Sequence, residues 1–430
     1  MTGGDLLSDL LAAFDTLPKP SSTKLSTDPV ERVLEALGRP QDRLPPVIHI
    51  AGTNGKGSTT AFMRAIAEAH GLKVHVDTSP HLIRVNERIR LAGELISDDA
   101  LRHFSERVLK ANAGAPLSFF EGMTAIAYLA FSEVPADLTL VEVGLGGRFD
   151  STNVFRSPSA SVITPIDYDH RDFLGRHLCQ IAWEKAGIIK SGSPAISAEQ
   201  APDVRRTLEA EARYRGAPFT ALEDVTSWEE TAIGVRFQID GMEIGPVMPG
   251  LSGPHQVANA ALAMLALKRS DVMELEPEWV SEGLRKVDWP ARLQTLQDGP
   301  LTRLLPGKTV LLDGGHNPHA ALALKSALAE HAPVPVALAM LRNKDVEAYL
   351  SHLAPLIGHL AAVPMGAGRN CHDTEHVASV ARKLGIDATA RTDLQSGLSR
   401  LSDEPGDHAL ICGSLYLAGD VLSANGEIIA

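Results

Sequence analysis

"VIHIAGTNGKGSTTAFMRAIAEA", residues 47–69, runs a hydrophobic strand into a glycine-rich turn and out into a helix. "PPVIHI" (45–50) has the continuous apolar character of a strand buried on both faces, and "GSTTAFMRAIAEAHG" reads as a helix closed by Gly71. Between them Lys56 stands between Gly55 and Gly57. Backbone N–H groups converge at such a turn, the helix dipole favours an anion there, and the lysine adds a full positive charge. With a strand before it and a helix after it, the turn reads as a phosphate site rather than a mere connector. The usual pattern GxxxxGK[ST] is nevertheless broken. Ile50 stands where its first glycine belongs, Gly57 replaces the Mg²⁺-binding hydroxyl, and Ser58 comes one residue late. The metal is then held by water alone, or another segment supplies the oxygen.

Outward from this turn, strands and helices alternate. "LKVHVDTSP" (72–80), "LTLVEVG" (138–144), "SASVITPI" (159–166) and a segment near 194–197 read as strands. Helices are expected near 98–112, 120–133 and 177–189. Strands of this kind, lacking polar alternation, imply a parallel sheet covered on both faces. A second alternation follows "VDWPARLQTLQDGPLTRLLPGK" (287–308), with "TVLLDGG", "VPVALAM" (334–340), "LAAVPM" (360–365) and "HALICGSLYLAGDVL" (408–422). The expected fold class is α/β: a P-loop-type ATPase domain over 1–297 with a mainly parallel sheet, and a smaller Rossmann-like α/β domain over 298–430.

Composition narrows the class. At 430 residues the chain exceeds one ordinary core. The net charge of −13 argues against a nucleic-acid or acidic-membrane binder, though not against a local cationic pocket. Cys179, Cys371 and Cys412 form no CxxC pair, as in a reducing compartment. The amino terminus "MTGGDLLSDLLAAFDTLPKP" lacks the basic start of a signal peptide, and no apolar run approaches the roughly 20 residues of a membrane span. The expected location is cytoplasmic, with no membrane and no nucleic-acid partner.

Ligands in open α/β sheets gather beyond the carboxyl ends of the strands. Three such ends carry hard donors: Ser79 after "VHVDT", Glu142 within "LTLVEVG", and Asp167, Asp169, His170 and Asp172 in "ITPIDYDHRDFLG". Mg²⁺ prefers oxygen, which favours Glu142, and an unpaired buried carboxylate is too costly to be idle. By residue type alone His170 reads as a group behind the metal ligands or a helix cap. In "AWEKAGIIK", Lys185 sits on an otherwise apolar helix; it either snorkels to solvent or lies near the metal with a lowered pKa. "GLGGRF" (144–149) lacks the last glycine of a dinucleotide fingerprint, and its glycines read as room for a ligand to approach the backbone. "RNKD" (342–345) has Val346 where a guanine-reading NKxD needs aspartate.

Taken together, "AGTNGKGS", "TSPHLIRVNERIR", "FFEGMTAIAYLAF", "EVGLGGRFDSTN", "DHRDFLG", "WEKAGII", "HQVANAALA", "WPARLQ" and "DGGHNPHA" resemble, in order, the folylpolyglutamate synthase/dihydrofolate synthase family of the Mur ligase superfamily. The resemblance implies that Ser79 and Glu142 ligate Mg²⁺, that His170 joins the metal shell, and that Lys185 is carbamylated into a carboxylate-like ligand, with two Mg²⁺ ions in all. It places ATP on Thr53, Asn54, Gly55, Lys56, Gly57 and Ser58, and on Asn259, Arg292, Asp313 and His316. Lys56, Lys185 and His170 are the catalytic candidates. Pro80, His81 and Arg84 of the folate loop, Ser118, Phe119 and Phe120 of "SFFE", and Thr27 and Asp28 of "STDPVERV" (26–33) are the substrate-binding candidates. "STDPVERV" stands where the family often carries "LGLER", and Trp183 stands where it carries an arginine.

The implied activity is ATP-dependent ligation of L-glutamate to dihydropteroate and to folates through an acyl phosphate, by a monomer whose C-terminal domain serves the glutamate. Two other readings share parts of the pattern: a Mur-type ligase acting on a cell-wall precursor, and a P-loop small-molecule kinase. The folate loop and "SFFE" disfavour the first. The presence of Glu142, His170 and Lys185 beside a phosphate loop disfavours a non-enzymatic scaffold.

Overall fold

The structure is a computed structural model and describes residues 6–17, 25–366 and 368–429. Part of the amino-terminal stretch read as carrying no leader, residues 1–5 and 18–20, lies outside them. The chain divides into two compact units, residues 1–250 with 258–287, and residues 251–257 with 288–430. Among the described residues no helix is long and apolar enough to cross a membrane. The three cysteines are free thiols.

In the first unit, β1 (Val47–Ala51), β2 (Val74–Asp77), β3 (Ile89–Leu91), β4 (Glu94–Leu95), β5 (Leu138–Glu142), β6 (Ala160–Ile163), β7 (Ala195–Ser197) and β8 (Phe219–Ala221) form one sheet. Its order is β4-β3-β2-β5-β1-β6-β7-β8, parallel except for the β2–β3–β4 ribbon. Every residue of β1, β2, β5 and β6 is buried, as strands with helices on both faces require. Ile50 is level with Glu142 on one side and Val162 on the other, and Asp77 is level with Val141. The register therefore brings the ends of β1, β2, β5 and β6 out on one edge. One core gathers beneath helix Phe119–Glu133 around Leu34, Ile89, Tyr128 and Phe131; another holds Ile163, Ile181, Ile188 and Leu208.

A three-stranded antiparallel sheet, β9 (Thr226–Thr231), β10 (Gly234–Ile239) and β11 (Met242–Val247), has no counterpart in the sequence reading. β9 explains the omission: "TSWEET" buries none of its residues and carries no apolar signal.

The second unit holds β12 (Gln294–Thr295), β13 (Thr309–Leu312), β14 (Val334–Leu338), β15 (Ile357–Ala362), β16 (Ala388–Ala390) and β17 (His408–Cys412). Their order is β12-β13-β17-β14-β15-β16, and all pairs from β13 onward are parallel. Val336, Leu338, Tyr349, Leu360 and Leu410 form its core.

One contact fixes the back of the first unit. Helix Pro277–Lys286 crosses the phosphate-loop helix Lys56–Ala69 at Gly283, where a Cβ would fall 2.6 Å from the Ile66 Cα. Backbone cannot yield as a side chain does, so Gly283→Ala should cost about 1–3 kcal/mol. Urea unfolding reads this as a lower midpoint with an unchanged slope; a midpoint equal to wild type would refute the close crossing.

Candidate active site

The carboxyl edge of the large sheet begins at the turn after β1. Gly52 has φ 154°, and a Cβ on it would fall 1.8 Å from Thr164 Oγ1. Gly55 has φ 87°, and a Cβ there would fall 2.6 Å from Asn259 Oδ1, so Asn259 rests directly against the turn. Both positions exclude any other residue. The Thr53 and Asn54 N–H groups donate to Pro165 O at 3.0 and 3.3 Å. The Thr53 hydroxyl donates to Asp167 O at 2.9 Å and accepts from the Asp167 N–H at 3.1 Å. The turn is thus fastened to the segment leaving β6. The amides opening helix Lys56–Ala69, which have no partner inside the helix, face an incoming anion.

Two ammonium groups converge on one atom of this turn. Lys56 Nζ donates to Gly52 O at 3.2 Å and Lys185 Nζ to the same oxygen at 2.7 Å. Lys185 is buried, on helix Leu178–Ala186. Burial foremost, and then the Lys56 charge, push its pKa down to about 7, against the opposing pull of Asp169, Asp150 and Glu184. The snorkelling alternative is excluded by this placement.

Glu142, at the end of β5, is buried with Oε1 3.9 Å from Lys56 Nζ. The Thr78 hydroxyl donates to its other oxygen. Ser79 follows Thr78 directly, half-buried, and precedes a cis bond to Pro80. Asp77 is buried, and its Oδ2 has no hydrogen-bond partner. Burial raises its pKa well above the usual carboxylate range, reinforced by Asp150 and Glu142 and opposed by Arg88. Asp150 is raised by burial as well, and hydrogen bonds from Thr152 and Leu145 pull it back. His170 is exposed, with φ 50°, ahead of the short helix Arg171–Leu174; its Nε2 lies 3.9 Å from Asp169 Oδ2. Lys56, Glu142 and Lys185 thus meet around the turn, Ser79 adjoins them through Thr78, and His170 adjoins Asp169, whose charge acts on Lys185.

The lysine helix is set by glycines. A Cβ on Gly147 would lie 2.8 Å from Glu184 O, and one on Gly187 would lie 2.3 Å from Arg148 Cα. Gly144 faces the Phe120 ring, where a Cβ would come within 2.2 Å of Cζ. The glycines of "GLGGRF" therefore admit the protein's own helix and ring, which corrects the expectation that they clear space for a ligand. Trp183 on this helix has a cationic partner. The Arg148 guanidinium stacks on Trp183 at 3.8 Å and pairs with Glu211 at 3.1 Å.

Between β2 and β3, the Glu87 carboxylate collects the N–H groups of Leu82, Ile83 and Arg84 at 2.6, 2.8 and 2.5 Å. Arg84 pairs with Asp98 at 2.7 Å. Arg88 Nε donates to His81 Nδ1 at 2.9 Å, and its guanidinium stands 5.5 Å from the Phe119 ring centre. Ser118 caps helix Phe119–Glu133 by accepting from the Glu121 N–H at 3.3 Å. Thr27 precedes helix Asp28–Ala36 without a side-chain cap, and the Asp28 N–H donates to Ser26 Oγ at 3.1 Å.

In the second unit, both Asp313 oxygens accept from backbone: Leu293 N–H at 2.9 Å and Gly315 N–H at 2.7 Å. Arg292, between Ala291 and Leu293 at φ 58° and 46°, lies against Gly314, and His316 Nδ1 is 3.0 Å from Gly314 O. "WPARLQ" and "DGGHN" are therefore one structure, knotted by Asp313. Half-buried His255 lies in its field; desolvation lowers the imidazole pKa while Asp313 raises it. Residue-by-residue reading missed Asp77, Thr78, Glu87, Arg88, Asp150 and His255. Asp77 was legible, because an acid closing the apolar strand "VHVD" raises the same question as Glu142.

The family described as dihydrofolate synthetase, C-terminal domain, matches residues 306–424. The dihydrofolate synthase/folylpolyglutamate synthase of Bacillus subtilis is 32% identical, over 91% of this chain and 93% of its own. The structure of Escherichia coli FolC in complex with DHPP and ADP matches with a TM-score of 0.87 at 28% identity, covering 98% of this chain and 97% of that one. A bifunctional folylpolyglutamate synthase/dihydrofolate synthase with Mn, AMPPNP and L-glutamate bound matches with a TM-score of 0.85 at 28% identity, covering 98% of each chain.

Thr78→Val would remove the hydrogen bond that the Thr78 hydroxyl gives to Glu142. A hydrogen bond to a charged group contributes about 1.5–3 kcal/mol, so the Mn²⁺ dissociation constant read by electron paramagnetic resonance should rise about tenfold or more. An unchanged constant would detach Thr78 from the site.

Proposed function

The chain belongs to the dihydrofolate synthase/folylpolyglutamate synthase family, and on that premise we propose that it joins L-glutamate to dihydropteroate and to reduced folates, using ATP and an acyl phosphate. It is an ATP-dependent ligase. The observation that carries the site-level reading is the convergence of Lys56 and Lys185 on Gly52 O beside Glu142.

A carboxylate is a poor electrophile, because an attacking amine would have to expel oxide. Phosphorylation replaces that leaving group with phosphate. Bringing a triphosphate against a carboxylate needs positive charge, and Lys56 at the start of its helix supplies it, together with the helix-opening amides. Thr53, Asn54, Gly55, Gly57 and Ser58 shape the cradle, and Asn259 holds Gly55 in place. In the second unit Arg292 and His316, fixed through Asp313, contact the nucleotide. Residues 1–297 carry the phosphate turn and the acceptor site, and residues 298–430 carry the glutamate site.

The donors present fit a divalent cation. Glu142 and Ser79 are hard oxygen ligands at the edge where Asp77 leaves a buried oxygen without a partner. Bound Mg²⁺ neutralises the phosphate oxygens and makes phosphorus a better electrophile. Ser79 and Glu142 would hold one ion; His170 and a carbamylated Lys185 would hold a second. A pKa of about 7 leaves much of the Lys185 amine neutral at physiological pH, which is the form that adds CO₂. The carbamate then replaces a buried cation by an anion next to Lys56. Arg88, His81, Phe119 and Phe120 offer the flat heterocycle of the acceptor a cation and aromatic faces, with Pro80, Arg84, Ser118, Thr27 and Asp28 around it.

ADP release by the purified chain should require glutamate and occur with dihydropteroate and with tetrahydrofolate. Lys185→Ala should lower turnover about a hundredfold or more, with partial recovery in small carboxylic acids. Glutamate-independent ADP release with a stable phosphorylated product would identify a kinase instead. An alanine variant of ordinary activity would remove the carbamate.

A further inference from the structure

We propose that His331, Asp407 and His408 form a binding site for a borderline divalent metal of the Zn²⁺ type, distinct from the Mg²⁺ ligands of the reaction. His331 closes the single turn Ala329–His331 ahead of β14; Asp407 and His408 lead into β17. β14 and β17 are parallel neighbours, so both segments lie at the amino-terminal edge of the six-stranded sheet. Asp313 follows the carboxyl end of β13, which is parallel to β17. The four residue steps from His408 to Cys412 along β17 therefore separate the cluster from that edge by about 13 Å at 3.3 Å per residue.

One nitrogen of each ring and one Asp407 oxygen all lie within 4.8 Å of one another. The ring centres are 3.8 Å apart and tilted by 35°, and Asp407 Oδ1 is 2.7 Å from His408 Nδ1. Ligands of a tetrahedral ion with bonds of about 2.0 Å stand about 3.3 Å apart. The three ligand atoms, within 4.8 Å of one another, stand near that spacing. Its hydrogen bond with His408 holds the Asp407 carboxyl below the usual range, so it stays an anion. Two imidazoles and one carboxylate suit Zn²⁺, Co²⁺ or Ni²⁺, whereas Mg²⁺ asks for oxygen. Three protein ligands leave the fourth position to water.

The frame around the cluster is already fastened. The Thr309 N–H donates to Asp407 O at 2.7 Å, and Lys308 Nζ donates to Glu404 O and Gly406 O at 2.6 and 2.7 Å. Gly406 passes close to Pro333 O, where a Cβ would fall 2.9 Å away. A metal held by His331 on one side and by Asp407 and His408 on the other would clamp the entries to β14 and β17.

Chelator-treated full-length protein, dialysed against Zn²⁺ with Mg²⁺ in large excess, should take up one tight equivalent and melt at a higher temperature. The His331→Ala/His408→Ala double variant should lose that equivalent and the shift. Asp407→Asn alone, checked for native circular dichroism, should weaken uptake about tenfold or more. Glu142→Gln should retain the equivalent, which separates this site from the catalytic edge whatever the activity proves to be. No uptake by wild type, equal uptake by the double variant, or loss in Glu142→Gln would each overturn the proposal.

Discussion

Two ammonium groups sharing one carbonyl oxygen is the constraint on which the site turns. Lys56 and Lys185 both donate to Gly52 O, and Lys185 does so from a buried helix. Like charges in a poorly solvated place are mutually costly. Burial and the Lys56 charge lower the Lys185 pKa to about 7. Behind the turn, Glu142, Asp77 and Asp150 crowd negative charge at the same edge, and Asp77 is driven toward its neutral form. Separated positive and negative charge, held before anything binds, is what a phosphoryl transfer between two anions requires.

Much of the surrounding backbone exists to hold that arrangement. Gly147 and Gly187 let the lysine helix touch the loop after β5 with no side chain between them. Thr53 ties the turn after β1 to Asp167, and so to the segment carrying Asp169 and His170. Arg148, stacked on Trp183 and paired with Glu211, holds the outer face of the same helix. In the second unit Asp313 plays an analogous part, with its oxygens drawing residues 293 and 315 onto one carboxylate.

The parallel sheets were legible because apolar runs of four to six residues between helical patterns have few other solutions, and β1, β2, β5 and β6 are buried throughout. β9 was not legible, since its residues face water and leave no periodic trace. Glu142 and the phosphate turn stood out because a charge in an apolar strand and a lysine between glycines each demand a reason. Thr78 did not, because a threonine beside a serine carries no such demand until the fold aims it at Glu142. Lys185 was open between solvent and site, and only the depth of its helix decides it. Arg148 illustrates the limit from the other side: it reaches the Trp183 carbonyl from a position 35 residues away in sequence.

The central claim is that ATP converts an acid into a mixed anhydride that an amine captures. Acceptor labelled with ¹⁸O in its carboxylate tests it directly, by mass analysis of the inorganic phosphate released in a single turnover. The account predicts one labelled oxygen in each phosphate formed. Phosphate without label, alongside normal amide formation, would contradict it.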